Sequence, residues 1–151
     1  MTLTFRPARR DDLPAIIALL SDDGLGRGRE DAAHPLRAEY VEAFAAIEAD
    51  PNNLQLVAED EGVVVGTLQI TFIRGLTRLG ATRGLIEGVR VARARRGAKI
   101  GEAMMAEAIS LCRSRGCALV QLTTDKRRTN AHRFYARLGF EATHEGFKLA
   151  L

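Results

Sequence analysis

Val89-Arg90-Val91-Ala92-Arg93-Ala94-Arg95-Arg96-Gly97-Ala98-Lys99-Ile100-Gly101-Glu102 is the stretch on which the reading of this chain turns. It starts as the end of an apolar strand and passes through small and basic residues. It then runs into Ile100, Met104, Met105, Ala108, Ile109 and Cys112, an apolar stripe at helical spacing. A strand that turns tightly into a helix leaves the helix's first backbone N–H groups without intrahelical partners. The helix dipole adds partial positive charge at that end, and Arg95, Arg96 and Lys99 add full charges. Such a turn suits a phosphate or pyrophosphate. It is not a Walker loop, since no Gly-Lys-Ser/Thr follows, and it lacks the Gly-x-Gly-x-x-Gly of a dinucleotide site.

The flanking segments predict the remaining elements. Upstream, the run from Leu85 to Val91 reads as a strand with Gly88 inside it, the mark of a bulge or a close backbone approach. Two earlier strands, beginning at Leu54 and Val63, flank a hairpin turn at Glu59-Asp60-Glu61-Gly62. Leu3 to Arg6 alternates as a short strand. Asp11 and Asp12 offer a cap to a helix with Pro14 in its first turn and Leu13, Ile16, Ile17 and Leu20 on its apolar face. Residues 21–35 hold three glycines and no periodicity, which predicts a loop. A second helix carries Tyr40, Val41, Phe44 and Ile47 and ends at Asp50-Pro51. Downstream, Gly116 stops the long helix, Ala118 to Thr124 is a strand, Asn130 to Leu138 a short helix, and Gly139-Phe140 opens a last extended stretch to Leu151. The expected order is β-α-α-β-β-β-α-β-α-β: one α/β domain over residues 1–151, with a mixed, mostly antiparallel sheet flanked by helices.

The composition agrees with this. The 151 residues are 46% apolar and 27% charged, the balance of a globular domain rather than a disordered chain. No apolar run has the length of a membrane helix, and Met1 to Pro7 lacks a signal-peptide core, so no membrane association and a cytoplasmic location are the expectations. Aromatics at 5% and the absence of Trp argue against stacking on single-stranded nucleic acid, and no specific nucleic-acid partner is expected. Cys112 and Cys117 are too few for a disulfide framework or a four-ligand zinc site and read as core residues. His34, His132 and His144 have no ligand spacing, so no metal site is expected. Charge is distributed unevenly. Residues 11–61 carry 13 acids against Arg27, Arg29 and Arg37, a balance of −10 in a chain of net +3, so the rest carries +13.

The turn Arg96-Gly97-Ala98-Lys99-Ile100-Gly101 resembles the Arg/Gln-x-x-Gly-x-Gly/Ala motif of the GCN5-related N-acetyltransferase family, which binds acetyl-coenzyme A. It matches at the first and last positions, with Lys99 standing where the middle glycine usually is. A second stretch, Ala131-His132-Arg133-Phe134-Tyr135-Ala136-Arg137-Leu138-Gly139-Phe140, is similar to the family's Ala-x-x-x-Tyr-x-x-x-Gly-Phe hallmark. Where members often carry an Asn seven residues before that Tyr, this chain has Arg128. The order of elements also agrees along nearly the whole length.

The resemblance implies an acetyl-CoA-dependent N-acetyltransferase working by direct attack in a ternary complex. The amides of Arg96, Gly97, Ala98, Lys99, Ile100, Gly101 and Glu102 would receive the pyrophosphate, and Val91 would bond the pantetheine amide. A backbone amide at Val89 would face the oxyanion, and Arg128, with Lys126, would reach the adenosine phosphate. Transfer needs an uncharged amine and a protonated leaving thiolate. Glu87 is the candidate base; its alternative is a strand-end acid paired with Arg83 or Arg90. Tyr135 is the candidate acid; its alternative is a core aromatic beside Leu138. The first two helices and their loop usually build the family's acceptor side, and here that side is the acidic half. Asp22, Asp23, Glu30 and Asp31 therefore point to a small cationic amine as acceptor. A protein lysine or N-terminus is the alternative acceptor, and a non-catalytic acyl-CoA-binding regulatory module the alternative function. A homodimer paired through an exposed last strand is a further expectation.

Overall fold

In the computed structural model, residues 2–151 are described. Strand β1 (Leu3–Pro7) leads through a 3-10 turn at Arg10–Asp12 into α1 (Leu13–Ser21), and α2 is Ala38–Ala49. Then come β2 (Asn53–Asp60), β3 (Val63–Arg74), β4 (Thr82–Val91), α3 (Ile100–Ser114), β5 (Leu119–Leu122) and α4 (Thr129–Arg137). The five strands form one sheet in chain order. β1 to β4 pair antiparallel, and α3 is the helical connection that carries the chain back from β4 to β5. By its internal contacts the chain divides into two units, Met1–Gln121 and Leu122–Leu151.

In the first unit the alternation of the strands decides which side chains meet. Gly66, Ile70, Phe72, Gly84 and Ile86 face α3. A Cβ at Gly66 would crowd Met104 Sδ, and one at Gly84 would strike Cys112 Sγ, so these two glycines let the helix lie close on the sheet. Ile100, Met104, Met105, Ala108 and Cys112 are 0–1% exposed, so every expected stripe position except Ile109 is fully buried. Each large apolar side chain buried this way adds roughly 1.5–3 kcal/mol. The helix ends in a Schellman cap: Gly116 has φ 77°, the Cys117 N–H donates to Cys112 O at 3.0 Å, and the Gly116 N–H to Arg113 O at 3.0 Å. The cap sets Cys117 against Cys112, and burial, reinforced by Cys117, pushes the Cys112 thiol up to about 11. Both cysteines belong to the packing, as their positions suggested.

Two expectations change. Asp12 stands at the start of α1 but makes no side-chain cap. Its carboxylate instead accepts both arms of the Arg6 guanidinium, at 2.7 and 3.0 Å, and the Arg9 N–H at 2.7 Å. A bidentate charged fork is a stronger partner than a helix amide. The last strand is also absent. Residues 139–151 contain no strand, and Phe147, Leu149 and Leu151 are 92%, 86% and 118% exposed. An extended stretch alone does not make a strand; its backbone needs a ladder partner.

Candidate active site

Glu87 owes its position to a bulge. In the β3–β4 ladder Gln69 pairs with Glu87 and Thr67 with Arg90, so Gly88 and Val89 together oppose the single residue Leu68. Gly88 has φ 61°, the left-handed glycine of such a bulge, and a Cβ there would contact only Leu20 Cδ2 at 3.6 Å. The sequence singled out this glycine, and the bulge is there. It interrupts the ladder at Val89, the amide expected to face an oxyanion. Glu87 is exposed and makes no ion pair among the described residues, so the alternative of pairing with Arg83 or Arg90 does not hold. Arg90 pairs instead with Asp23, Nε to Oδ2 at 2.9 Å, both side chains largely buried.

Beyond β4 the chain makes a 3-10 turn at Arg93–Arg95 and enters α3 through Arg96, Gly97, Ala98 and Lys99. Lys99 is the N-cap residue, at φ 59° and ψ 19° in the left-handed region. A lysine here holds a backbone conformation that favours glycine, at a cost of about 1–2 kcal/mol. No side chain caps this end of α3. The N–H groups of Ile100, Gly101 and Glu102 therefore have no intrahelical acceptor and no side-chain cap, the arrangement that suits an oxyanion. Gly97, at φ 88°, has open space where a side chain would be. These residues fit the pyrophosphate of acetyl-CoA.

The charges around the turn are not all available. Arg95 Nη1 meets Asp60 Oδ2 at 2.5 Å, and Asp60 is 3% exposed and also accepts the Thr2 N–H at 3.0 Å. Arg93 meets Asp22 at 3.3 Å. Arg96 and Lys99 have no ion-pair partner among the described residues, so these two remain for a ligand. The same pairs reduce the acidic wall: Asp22 and Asp23 are held by Arg93 and Arg90, leaving Glu30 and Asp31 of the four acids the sequence singled out. Asp60 was read only as a turn residue; nothing in its local sequence separates it from Glu59 and Glu61.

Tyr135 and Arg128 belong to the second unit, Tyr135 within α4 and Arg128 at its N-cap. Tyr135 stands edge-on to Phe134 and Phe140, with ring centroids 5.1 and 5.9 Å apart. His132 Nε2 lies 2.9 Å from Asp125 O and His144 Nδ1 2.7 Å from Thr143 Oγ1. Among the described residues no group of His, Cys, Asp and Glu is arranged to hold a metal ion, and no helix is long and apolar enough to cross a membrane.

Comparison with known proteins places this geometry in a class. Residues 15–140 match the model of the acetyltransferase (GNAT) family. An aminoalkylphosphonate N-acetyltransferase from Salmonella typhimurium is 36% identical over 112 residues, 74% of this chain and 72% of that protein. A glucosamine 6-phosphate N-acetyltransferase from Trypanosoma brucei brucei is 33% identical over 90 residues, 60% of this chain and 59% of that one. Among solved structures, a transcriptional regulator from Bacillus halodurans C-125 superposes with a TM-score of 0.97 at 47% identity, covering 99% of this chain and all of that one. The chain belongs to the GNAT family of acetyltransferases. It is an N-acetyltransferase that uses acetyl-CoA as co-substrate.

Proposed function

We propose that residues 1–151 act as one N-acetyltransferase domain that acetylates the primary amine of a small molecule, with Glu87 as base and Tyr135 as acid. The bulge in β4 carries this reading, since the same strand presents Glu87 and delivers the chain to the uncapped amides of α3. Glu87 takes a proton from the ammonium group, and the nitrogen attacks the thioester carbonyl carbon. The Val89 amide supports the oxyanion of the tetrahedral intermediate. The C–S bond then breaks, the Tyr135 hydroxyl gives its proton to the departing thiolate, and the nitrogen gives up its second proton as the neutral amide forms, which restores the hydroxyl. No acyl-enzyme forms.

Val91 pairs with pantetheine, residues 96–102 hold the pyrophosphate, and Arg128 reaches the adenosine phosphate. The acceptor is cationic at its amine, attracted by Glu30, Asp31 and Glu87. Two relatives named for amines that carry a phosphonate or a phosphate support a small-molecule acceptor rather than a protein lysine. The exposed Phe147, Leu149 and Leu151 support a homodimer, and a cytoplasmic site of action completes the reading.

Thiol release from acetyl-CoA, measured with 2-aminoethylphosphonate, glucosamine 6-phosphate, kanamycin and spermidine, tests the function. Glu87→Gln is expected to lower kcat roughly 100-fold or more and to remove the acid limb of the pH–rate curve. An unchanged curve removes Glu87 as the base. Tyr135→Phe is expected to slow transfer while sparing acetyl-CoA affinity; a normal rate returns Tyr135 to a packing role.

A further inference from the structure

The bulge that presents Glu87 also decides which residue stands beside it. Gln69 lies directly opposite Glu87 in the ladder, so the two side chains leave the same face of the sheet with Cβ atoms about 5 Å apart. Ile70 and Ile86, one step along, face α3, so Gln69 and Glu87 are on the other face. That face carries a polar row running from β2 into β3. Gln69 Nε2 donates to Asn53 Oδ1 at 3.1 Å, and Thr71 Oγ1 donates to the same oxygen at 3.0 Å. Asn53 Nδ2 in turn donates to Asp50 Oδ2 at 2.7 Å.

Asp50 sets the direction of the whole row. Its carboxylate is held below the usual range by the Asn52 N–H and the Asn53 amide, so it is ionised and only accepts. Asn53 must then turn its NH2 towards Asp50 and its oxygen towards β3. With that oxygen fixed, Gln69 must turn its own NH2 to Asn53, and its Oε1 is left as the end of the row. Among the described residues this oxygen accepts no hydrogen bond. Gln69 is half-buried and Glu87 exposed, so a ligand can reach both.

We infer that Gln69 Oε1 is an acceptor-binding contact: it accepts one N–H of the amine before and after Glu87 takes the proton, and so fixes the rotation of the amine that brings the freed lone pair to the thioester. The inference rests on the reading of Glu87 as the base. With the amine's carbon chain bound, one N–H held on a fixed oxygen limits rotation about the C–N bond, which is how a site orients a small nucleophile. Gln69 gains no proton in the step. Asn53 and Asp50 act through Gln69 and are positioning residues.

Steady-state kinetics test this with whichever of the four amines above gives most thiol release. Gln69→Met keeps the side-chain length and removes the amide. It is expected to raise the KM for the amine about tenfold, the worth of one hydrogen bond of about 1.4 kcal/mol, with the acetyl-CoA KM unchanged. Asp50→Ala, a change at a half-buried position outside the site, frees Asn53 to flip and is expected to raise the amine KM about threefold. It also serves should Gln69→Met fold poorly. An unchanged amine KM in Asp50→Ala and in a folded Gln69→Met, or an equal rise in the acetyl-CoA KM, overturns the inference. A pH–rate curve unmoved by Glu87→Gln beside a raised amine KM in Gln69→Met removes the base and leaves the Gln69 contact standing. No thiol release by the wild type from any of the four amines overturns both.

Discussion

The acidic loop at residues 21–35 and the basic turn at residues 92–99 look alike in sequence: short, rich in small residues, charged, each next to a helix. The structure gives them different electrostatic roles. In the loop, Asp22 and Asp23 are bound by arginines of the β4 segment, and the Asp23 carboxylate also takes the Gly26 N–H. These acids fix the loop to the strand that carries Glu87. In the turn, Arg93 and Arg95 are similarly held by Asp22 and Asp60, but Arg96 and Lys99 beside the uncapped amides are not. A segment's formal charge therefore overstates the field a ligand meets wherever the fold supplies a counter-charge.

The sharpest way to break that comparison is to remove the two unpaired cations. Arg96→Ala with Lys99→Ala is expected to raise the acetyl-CoA KM about 30-fold and to flatten its salt dependence, leaving the amine KM unchanged. A smaller loss than that of Arg93→Ala, whose charge is already paired, would mean that pairing does not decide which charges serve the ligand.

The two pairs that brace the turn should separate by burial. Asp60→Ala breaks a pair whose acid is 3% exposed and strands the Thr2 N–H; it is expected to cost about 2 kcal/mol, a fall in Tm of about 4–8 °C. Asp22→Ala breaks an exposed pair and should cost less than about 0.5 kcal/mol, within about 2 °C. Thermal melts of the two variants side by side decide it, and equal losses would erase the distinction.

Between these lies Asp12, which the Arg6 hydrogen bonds hold below the usual carboxylate range against the opposing effect of burial. A depressed carboxylate contributes stability that is complete above its unfolded value, about 3.9, and is lost as the pH falls through the lower folded value. Urea unfolding between pH 6 and pH 2 should show the wild type losing this contribution at the acid end. Asp12→Asn should be about 1 kcal/mol less stable at pH 6 and nearer the wild type at pH 2. The smallest effect is expected for Lys99→Gly. Relief of the left-handed backbone and the added chain entropy nearly cancel, so its Tm should stay within about 2 °C while acetyl-CoA binding weakens a few-fold.

What was legible in the sequence followed from local rules. The stripe from Ile100 to Cys112 has one way to be a helix with a buried face, Gly116 one reason to end it, and Gly88 one common use inside a strand. The uncapped, basic turn before α3 could be read because its amides, glycine and charges all lie within a few residues. The last strand was misread for the complementary reason: an extended stretch after Gly139 is a local reading, but the ladder a strand needs is not local.

The sequence by itself determined most of the elements, the bulge, the basic strand-to-helix turn and the family resemblance, because each is encoded by neighbours along the chain. Only the tertiary structure decided which charges are cancelled, since Asp60 meets Arg95, and Asp23 meets Arg90, across long separations in sequence. It also decided that Gln69 stands beside Glu87. Strand register is set by the pairing of whole strands, and the direction of the Gln69 amide is set from Asp50, two hydrogen bonds away.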